Sequence, residues 1–237
     1  MSRSAPDNGG RAYKACSVRF VERTPLIRGY YAIVDVKPEK VGDLALLEAR
    51  AAKLLEAEPC CLQVRAKGAD AAALFAASLR LRDLCRAASV PFCVNDRLDV
   101  ALAVGADVVH LGQDDLPLAE ARRVLALAKA ESMAIGFSTH DRAQALAAAE
   151  GGADYIGFGP VFATISKANP DHVVGVDALA EVCRLVSIPV VAIGGIGLDA
   201  VPSVARAGAS AAAVIGAVDA APDPAAAGRI VASAFAR

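Results

Sequence analysis

The 237-residue chain has almost no net charge: 25 Lys and Arg stand against 26 Asp and Glu, for a formal charge of −1. That balance leaves no basic footprint for nucleic acid or an anionic membrane surface, so any anionic ligand must be held by a local cluster. Mean hydropathy is high, at +0.42, yet charges interrupt every apolar run before the eighteen or so residues that a membrane-spanning helix needs. The opening segment, MSRSAPDNGG, lacks the apolar stretch of a signal peptide. Six cysteines, at 16, 60, 61, 85, 93 and 183, include no C-x-x-C pair, which excludes the usual zinc and dithiol spacings. Their apolar surroundings read as buried, reduced thiols, and a reducing compartment, the cytoplasm, is the expectation. No G-x-G-x-x-G follows the first strand-like run, so a dinucleotide-binding open sheet is disfavoured. No Ser/His or Cys/His nucleophile pair is apparent either.

What is present is core-building material: 55% hydrophobic residues with 22% charged, at a length that one α/β barrel fills. Residues 1–28 are polar and without a clear period, and read as an N-terminal extension in which VRFV (18–21) has the composition of a short strand. Residues 29–237 follow a different grammar. Strand-like runs at 30–35, 61–65, 91–94, 108–111, 134–137, 155–158, 189–193 and 211–215 alternate with helix-like stretches near 43–57, 70–87, 97–104, 118–130, 141–150, 177–186, 199–206 and 224–235. Eight such units predict an α/β fold of the (β/α)₈ barrel type. Gly-Ala-Asp or Gly-Ala-Ser precedes three of the strands (105–107, 152–154, 208–210), where glycine would close a helix in the left-handed conformation.

In such a barrel the functional side chains lie just beyond the C-terminal ends of the strands. After the second strand, Gln63, Arg65 and Lys67 share one face, because residues two apart in a strand point the same way. Their cations call for an anion or for local carboxylates. After the third and fourth strands come Asn95-Asp96 and Gly112-Gln113-Asp114-Asp115, so two neighbouring strands deliver Asp96 and Asp115 to one rim. Each Asp alone reads as a helix cap. Beside the cations, the pair reads more strongly as a site for a divalent metal such as magnesium. Ser138-Thr139-His140-Asp141 after the fifth strand has the form of a capping signature, and a cap can also receive an anion. His140 reads as a supporting residue, His110 as a satisfied barrel histidine and His172 as an exposed loop residue. The segment 159–170 is long for a barrel connection and brings Thr164, Ser166 and Lys167. Glycines at 194, 195 and 197, with Ile215-Gly216 at the eighth strand, suit a backbone phosphate site. Two phosphate poles and no nucleophile suggest the joining of two phosphorylated molecules, with diphosphate leaving.

The ordered blocks QVRAK (63–67), ND (95–96), HLGQDD (110–115), STH (138–140), GPVFATISK (159–167), VVAIGGI (190–196) and AGASAAAVIGA (207–217) resemble the thiamine-phosphate synthase family from about Tyr30 to the C-terminus. The resemblance implies a transferase that joins hydroxymethylpyrimidine diphosphate to hydroxyethylthiazole phosphate by a dissociative, magnesium-assisted route. It implies Gln63, Arg65, Lys67, Asn95, Ser138 and Lys167 on the pyrimidine diphosphate, with Arg65, Lys67, Ser138 and Lys167 serving the chemistry. Asp96 and Asp115 would hold one Mg²⁺, and Thr164, Ser166, Gly195, Ile215 and Gly216 the thiazole phosphate. The chain departs from the family pattern at Ala66, Ser166, Asn169 and Gly216, and strand parity aims Ala66 away from the mouth. Alternatives are a thiazole tautomerase-like isomerase, with His140 as proton carrier, and a non-catalytic phosphate-binding barrel. The expected partners are small-molecule substrates, with neither nucleic acid nor membrane, and a homo-oligomer is left open.

Overall fold

The computed structural model describes residues 27–164 and 172–236. The expected extension up to residue 26, with Ser166, Lys167 and Asn169, lies outside the described residues. Eight parallel strands close into a barrel in chain order: β1 (Gly29–Asp35), β2 (Cys61–Arg65), β3 (Phe92–Asn95), β4 (Val108–Leu111), β5 (Ala134–Thr139), β6 (Tyr155–Phe158), β7 (Val190–Ile193) and β8 (Ala211–Ala213). Helices α1 (Leu44–Leu55), α2 (Ala71–Ala87), α3 (Leu98–Val104), α4 (Leu118–Leu127), α5 (Arg142–Glu150), α6 (Gly175–Leu185) and α7 (Val201–Arg206) link them in turn. After β8 the chain makes a single turn, α8 (Gly216–Asp219), before the closing helix α9 (Pro224–Ser233).

The strands are apolar on both faces because both faces are covered. Along β1, Tyr30, Ala32 and Val34 pack outward with Leu62, Val64, Phe92 and Leu111 under the helices. Tyr31 and Ile33 point inward and meet Cys61, Cys93, Val108, Ala134, Tyr155, Val191, Ala211 and Ala213. Ile27 joins this inner cluster, so the packed barrel begins two residues before its first strand. Ala66 sits in the outer layer, as parity required. Small residues (Ala134, Ala211, Ala213, Cys61 and Cys93) share this inner layer with the rings of Tyr31 and Tyr155.

Local chemistry accounts for the element ends. Asp43, Asp70, Asp141 and Asp223 cap α1, α2, α5 and α9 by accepting backbone N–H groups of the first turn. The Gly-Ala-Asp and Gly-Ala-Ser motifs share a glycine turn, and the two with Asp do a second job. Gly105, Gly152 and Gly208 adopt φ values of +64°, +91° and +99°, where a side chain would be strained. Asp107 and Asp154 then accept the backbone N–H of Phe92 and Ile135, tying each turn to the neighbouring strand.

The C-terminal ends of two strands differ from expectation by two residues. β5 runs two residues further, to Thr139, because Ser138 and Thr139 still pair with Gly157 and Phe158 of β6. β8 stops at Ala213, two residues short, because the chain coils into α8 at Gly216. The five described cysteines are free thiols, and burial pushes Cys60 up to about 12, which makes it unreactive. Among the described residues no helix is long and apolar enough to cross a membrane.

Candidate active site

A cavity of about 430 Å³ opens at the C-terminal mouth of the barrel. Of the sequence-predicted residues, Gln63, Arg65, Asn95, Ser138, Thr164, Gly195, Ile215 and Gly216 line it. Asp35, Tyr31, His110, Tyr155 and Thr139 line it too. Lys67, Asp96 and Asp115 lie beyond its lining; Asp96 faces Asp115 and lies within electrostatic reach of Lys67 and Arg65.

Arg65 has a local carboxylate: its Nη1 donates to Asp35 Oδ1 at 2.7 Å, across the β1–β2 pair. With side chains 24% and 26% exposed, this pair holds the guanidinium in one orientation at the mouth. Arg50 supports the same strand end, donating to the Asp35 carbonyl at 2.6 Å and pairing with Asp219. Asp35 was not singled out from the sequence, although its place at the end of the first strand was the available signal.

Neither rim aspartate caps a helix. α3 is preceded by Arg97 and α4 by Pro117, and no side chain caps either helix. Asp96 instead sits at φ +63°, a left-handed conformation that costs a non-glycine residue about 1–2 kcal/mol. Its backbone N–H donates to the His110 carbonyl of β4 at 2.8 Å, which holds it there. Asp115 loops back to accept the Gly112 N–H at 2.6 Å. Burial first, then the charge and hydrogen bond of Asp115, push Asp96 up to about 6, against the pull of Lys67 and Arg65. Two carboxylates forced together in this way form a natural seat for a hard divalent cation. Among the described residues no group of three or more His, Cys, Asp or Glu side chains could hold a metal, so any cation here must complete its shell with ligand oxygens or water.

The barrel floor carries a buried polar chain. Gln63 Nε2 donates to Asn95 Oδ1 at 2.6 Å, and Tyr31 Oη donates to Gln63 Oε1 at 3.0 Å. Tyr31 and Tyr155 hydroxyls meet at 2.8 Å, Tyr155 Oη lies 3.1 Å from His110 Nδ1, and His110 Nε2 lies 2.9 Å from Ser138 Oγ. Burial pushes both phenols well above their usual range, so they stay neutral. Burial also drives His110 down to about 4, against the opposing charge of Asp115. The expectation of a satisfied barrel histidine is met. The capping reading of Ser138 is not, because Asp141 caps α5 and leaves the Ser138 hydroxyl on His110. His140 Nδ1 lies 2.7 Å from the Gly159 carbonyl, a supporting role at the mouth. His172 is exposed.

On the opposite wall, Gly194 and Gly195 take φ values of +97° and +64°. A Cβ on Gly194 would overlap Pro160, and one on Gly195 would overlap the carbonyls of Phe162 and Ala163. Val161 and Phe162 N–H groups donate to Ile193 and Gly194 carbonyls at 2.9 and 3.0 Å. These glycines therefore let the segment after β6 lie directly on the end of β7. Gly216 is different, since open space surrounds its Cβ position.

Comparison with known proteins agrees with this geometry. The sequence model described as thiamine monophosphate synthase matches residues 30–218. A thiamine-phosphate synthase of Chloroflexus aurantiacus is 48% identical over 168 residues, covering 71% of this chain and 76% of that protein. One from Anaeromyxobacter dehalogenans is 51% identical over 174 residues, covering 73% and 76%. The solved structure of thiamine phosphate pyrophosphorylase from Pyrococcus furiosus superposes with a TM-score of 0.74 at 34% identity, covering 90% of this chain and 96% of that one. A match that spans the barrel from its first strand to the turn after its eighth, shared with synthases at about half identity, establishes that the chain belongs to the thiamine monophosphate synthase family of transferases.

Proposed function

We propose that the cavity binds hydroxymethylpyrimidine diphosphate and hydroxyethylthiazole phosphate together and joins them into thiamine phosphate. The carrying observation is that Gln63, Arg65, Asn95 and Ser138, expected for one substrate, line the same cavity as Thr164, Gly195, Ile215 and Gly216, expected for the other, with Asp96 facing Asp115 within electrostatic reach of Arg65. Gln63, Asn95 and Ser138 would hold the pyrimidine, and Arg65, Lys67 and Lys167 the diphosphate. Thr164, Ser166, Gly195, Ile215 and Gly216 would hold the thiazole phosphate. Asp96 and Asp115 suit one Mg²⁺, whose bound form would neutralise diphosphate charge.

The reaction balances without a general base. The methylene C–O bond breaks and its electron pair leaves with the diphosphate. The pyrimidine carries the resulting positive charge until the lone pair of the thiazole nitrogen forms the new C–N bond. Arg65, oriented by Asp35, and Lys67 place positive charge where the leaving group gains negative charge, a preorganised electrostatic effect. The cavity walls hold the nitrogen opposite the reacting carbon, where orientation contributes further. The buried chain offers neutral groups, consistent with chemistry that moves no proton at the reacting atoms. An isomerase would have no diphosphate to neutralise, so the rim carboxylates beside Arg65 and Lys67 speak for the synthase. The free thiols support a reducing, cytoplasmic setting.

The test mixes purified protein with both phosphorylated substrates, with and without magnesium, and reads thiamine phosphate by thiochrome fluorescence. Magnesium-dependent product is expected, and Asp115→Ala should lose about a hundredfold or more of turnover while circular dichroism stays unchanged. Folded wild-type protein that binds thiazole phosphate but forms no product would transfer the reading to the isomerase.

A further inference from the structure

The buried chain from Asn95 to Ser138 has a direction. A phenol has one proton to donate, and Tyr31 gives its proton to the Oε1 of Gln63, an atom that can only accept. In the 2.8 Å contact between the two phenols, Tyr155 must therefore be the donor. With its proton committed, Tyr155 can only accept from His110, whose Nδ1 must carry hydrogen. His110 is neutral, since buried hydroxyls rather than carboxylates face both of its ring nitrogens. Its Nε2 is then bare, and the Ser138 hydroxyl must donate to it. Ser138 is left with lone pairs only. At the other end Asn95 uses its Oδ1 on Gln63, so its amide N–H groups remain for the cavity.

The wall around this chain is built to accommodate it. A Cβ on Gly136 would overlap Tyr155 Cζ, the Tyr155 hydroxyl and His110 Nδ1, the very atoms of the link. A Cβ on Gly157 would press on His110 Cε1 at 3.3 Å. Two inward positions on adjacent strands β5 and β6 are thus kept empty where the Tyr155–His110 bond passes.

We propose that His110, held as its Nδ1–H tautomer by Tyr155, is a positioning residue that makes Ser138 Oγ an obligate hydrogen-bond acceptor toward the cavity. It thereby selects a ring that presents an N–H donor at that wall. The selection rests on the pyrimidine reading above, in which the exocyclic amino group is that donor. A ring bearing oxygen at the same place would set acceptor against acceptor, and a buried unpaired pair of this kind is costly. Reversing every link of the chain would reverse the outcome, leaving Nε2 protonated and Ser138 free to donate.

Two measurements on the full chain test this. Nitrogen-15 NMR of histidine-labelled protein should show a directly bonded proton on His110 Nδ1 and the shift of an unprotonated nitrogen at Nε2. Calorimetry with unreactive diphosphonate analogues of the 4-amino and 4-oxo pyrimidines should show preference for the amino ring. Tyr155→Phe, which removes one oxygen and frees the tautomer, should cut that preference about tenfold. A merely structural role would weaken both analogues alike. A protonated Nε2 in the wild type would overturn the proposal. So would a correct tautomer with a preference that Tyr155→Phe leaves unchanged. Failure of both analogues to bind would overturn the pyrimidine reading and the selection with it, while the spectrum would still decide the tautomer.

Discussion

Replacing Asp96 with asparagine should make the metal-free protein more stable while removing function. Asp96 is pushed up from its ordinary 3.8 to about 6 by burial and by Asp115. At about 1.4 kcal/mol for each factor of ten, keeping the carboxylate ionised would cost about 3 kcal/mol, which partial exposure reduces to about 1–2 kcal/mol. A folded-state value above the unfolded one contributes stability that is complete below about pH 4 and lost as pH rises through about 6. Near neutral pH the wild type has lost that contribution, whereas asparagine keeps it at every pH. Asparagine also tolerates the left-handed φ of +63°, so the backbone adds no opposing strain. The variant should therefore melt about 2–8 °C higher than the wild type at about pH 7.5 without metal. At about pH 5 that gap should shrink to about half, and it should close only below about pH 4. Magnesium should raise the wild-type midpoint and move that of Asp96→Asn much less. Melting curves in chelator at the two pH values, with and without magnesium, decide the matter. A gap that is the same at both pH values, or an Asp96→Asn variant less stable at the higher one, would refute the electrostatic argument.

Further outcomes follow from the packing of two glycines. Gly136→Ala should destabilise by about 1–3 kcal/mol or more, because its methyl overlaps the Tyr155–His110 link; a urea midpoint within error of the wild type would remove that link as a constraint. Gly216→Ser should leave stability within about 0.5 kcal/mol, since open space surrounds the position. If the thiazole phosphate sits there, the added hydroxyl should lower its KM several-fold, and an unchanged KM would move the phosphate elsewhere.

Much of the fold could be read from periodicity. Eight apolar runs separated by helical stretches leave few topologies, because parallel strands joined by helices must be covered on both faces. The rim rule then picked out Gln63, Arg65, Asn95 and Ser138 from their positions just inside or beyond strand ends, and strand parity set Ala66 aside. The segment ends were less legible. β8 stops early because its small residues give way to α8, a choice made by tertiary packing rather than by propensity.

The sequence by itself determined the barrel, its mouth and the residue types gathered there, because alternation and strand order act along the chain. Only the tertiary structure decided who pairs with whom. It joined Arg65 to Asp35, took Asp96 and Asp115 out of any capping role, and assigned the cap of α5 to Asp141 rather than Ser138. It also threaded Asn95, Gln63, Tyr31, Tyr155, His110 and Ser138 into one chain. Those partners come from six different strands, β1 to β6, and barrel closure brings residues as far apart as Tyr31 and Tyr155 within a hydrogen bond. Local sequence holds no record of such a contact, since the distance between them is set by the circumference of the closed sheet.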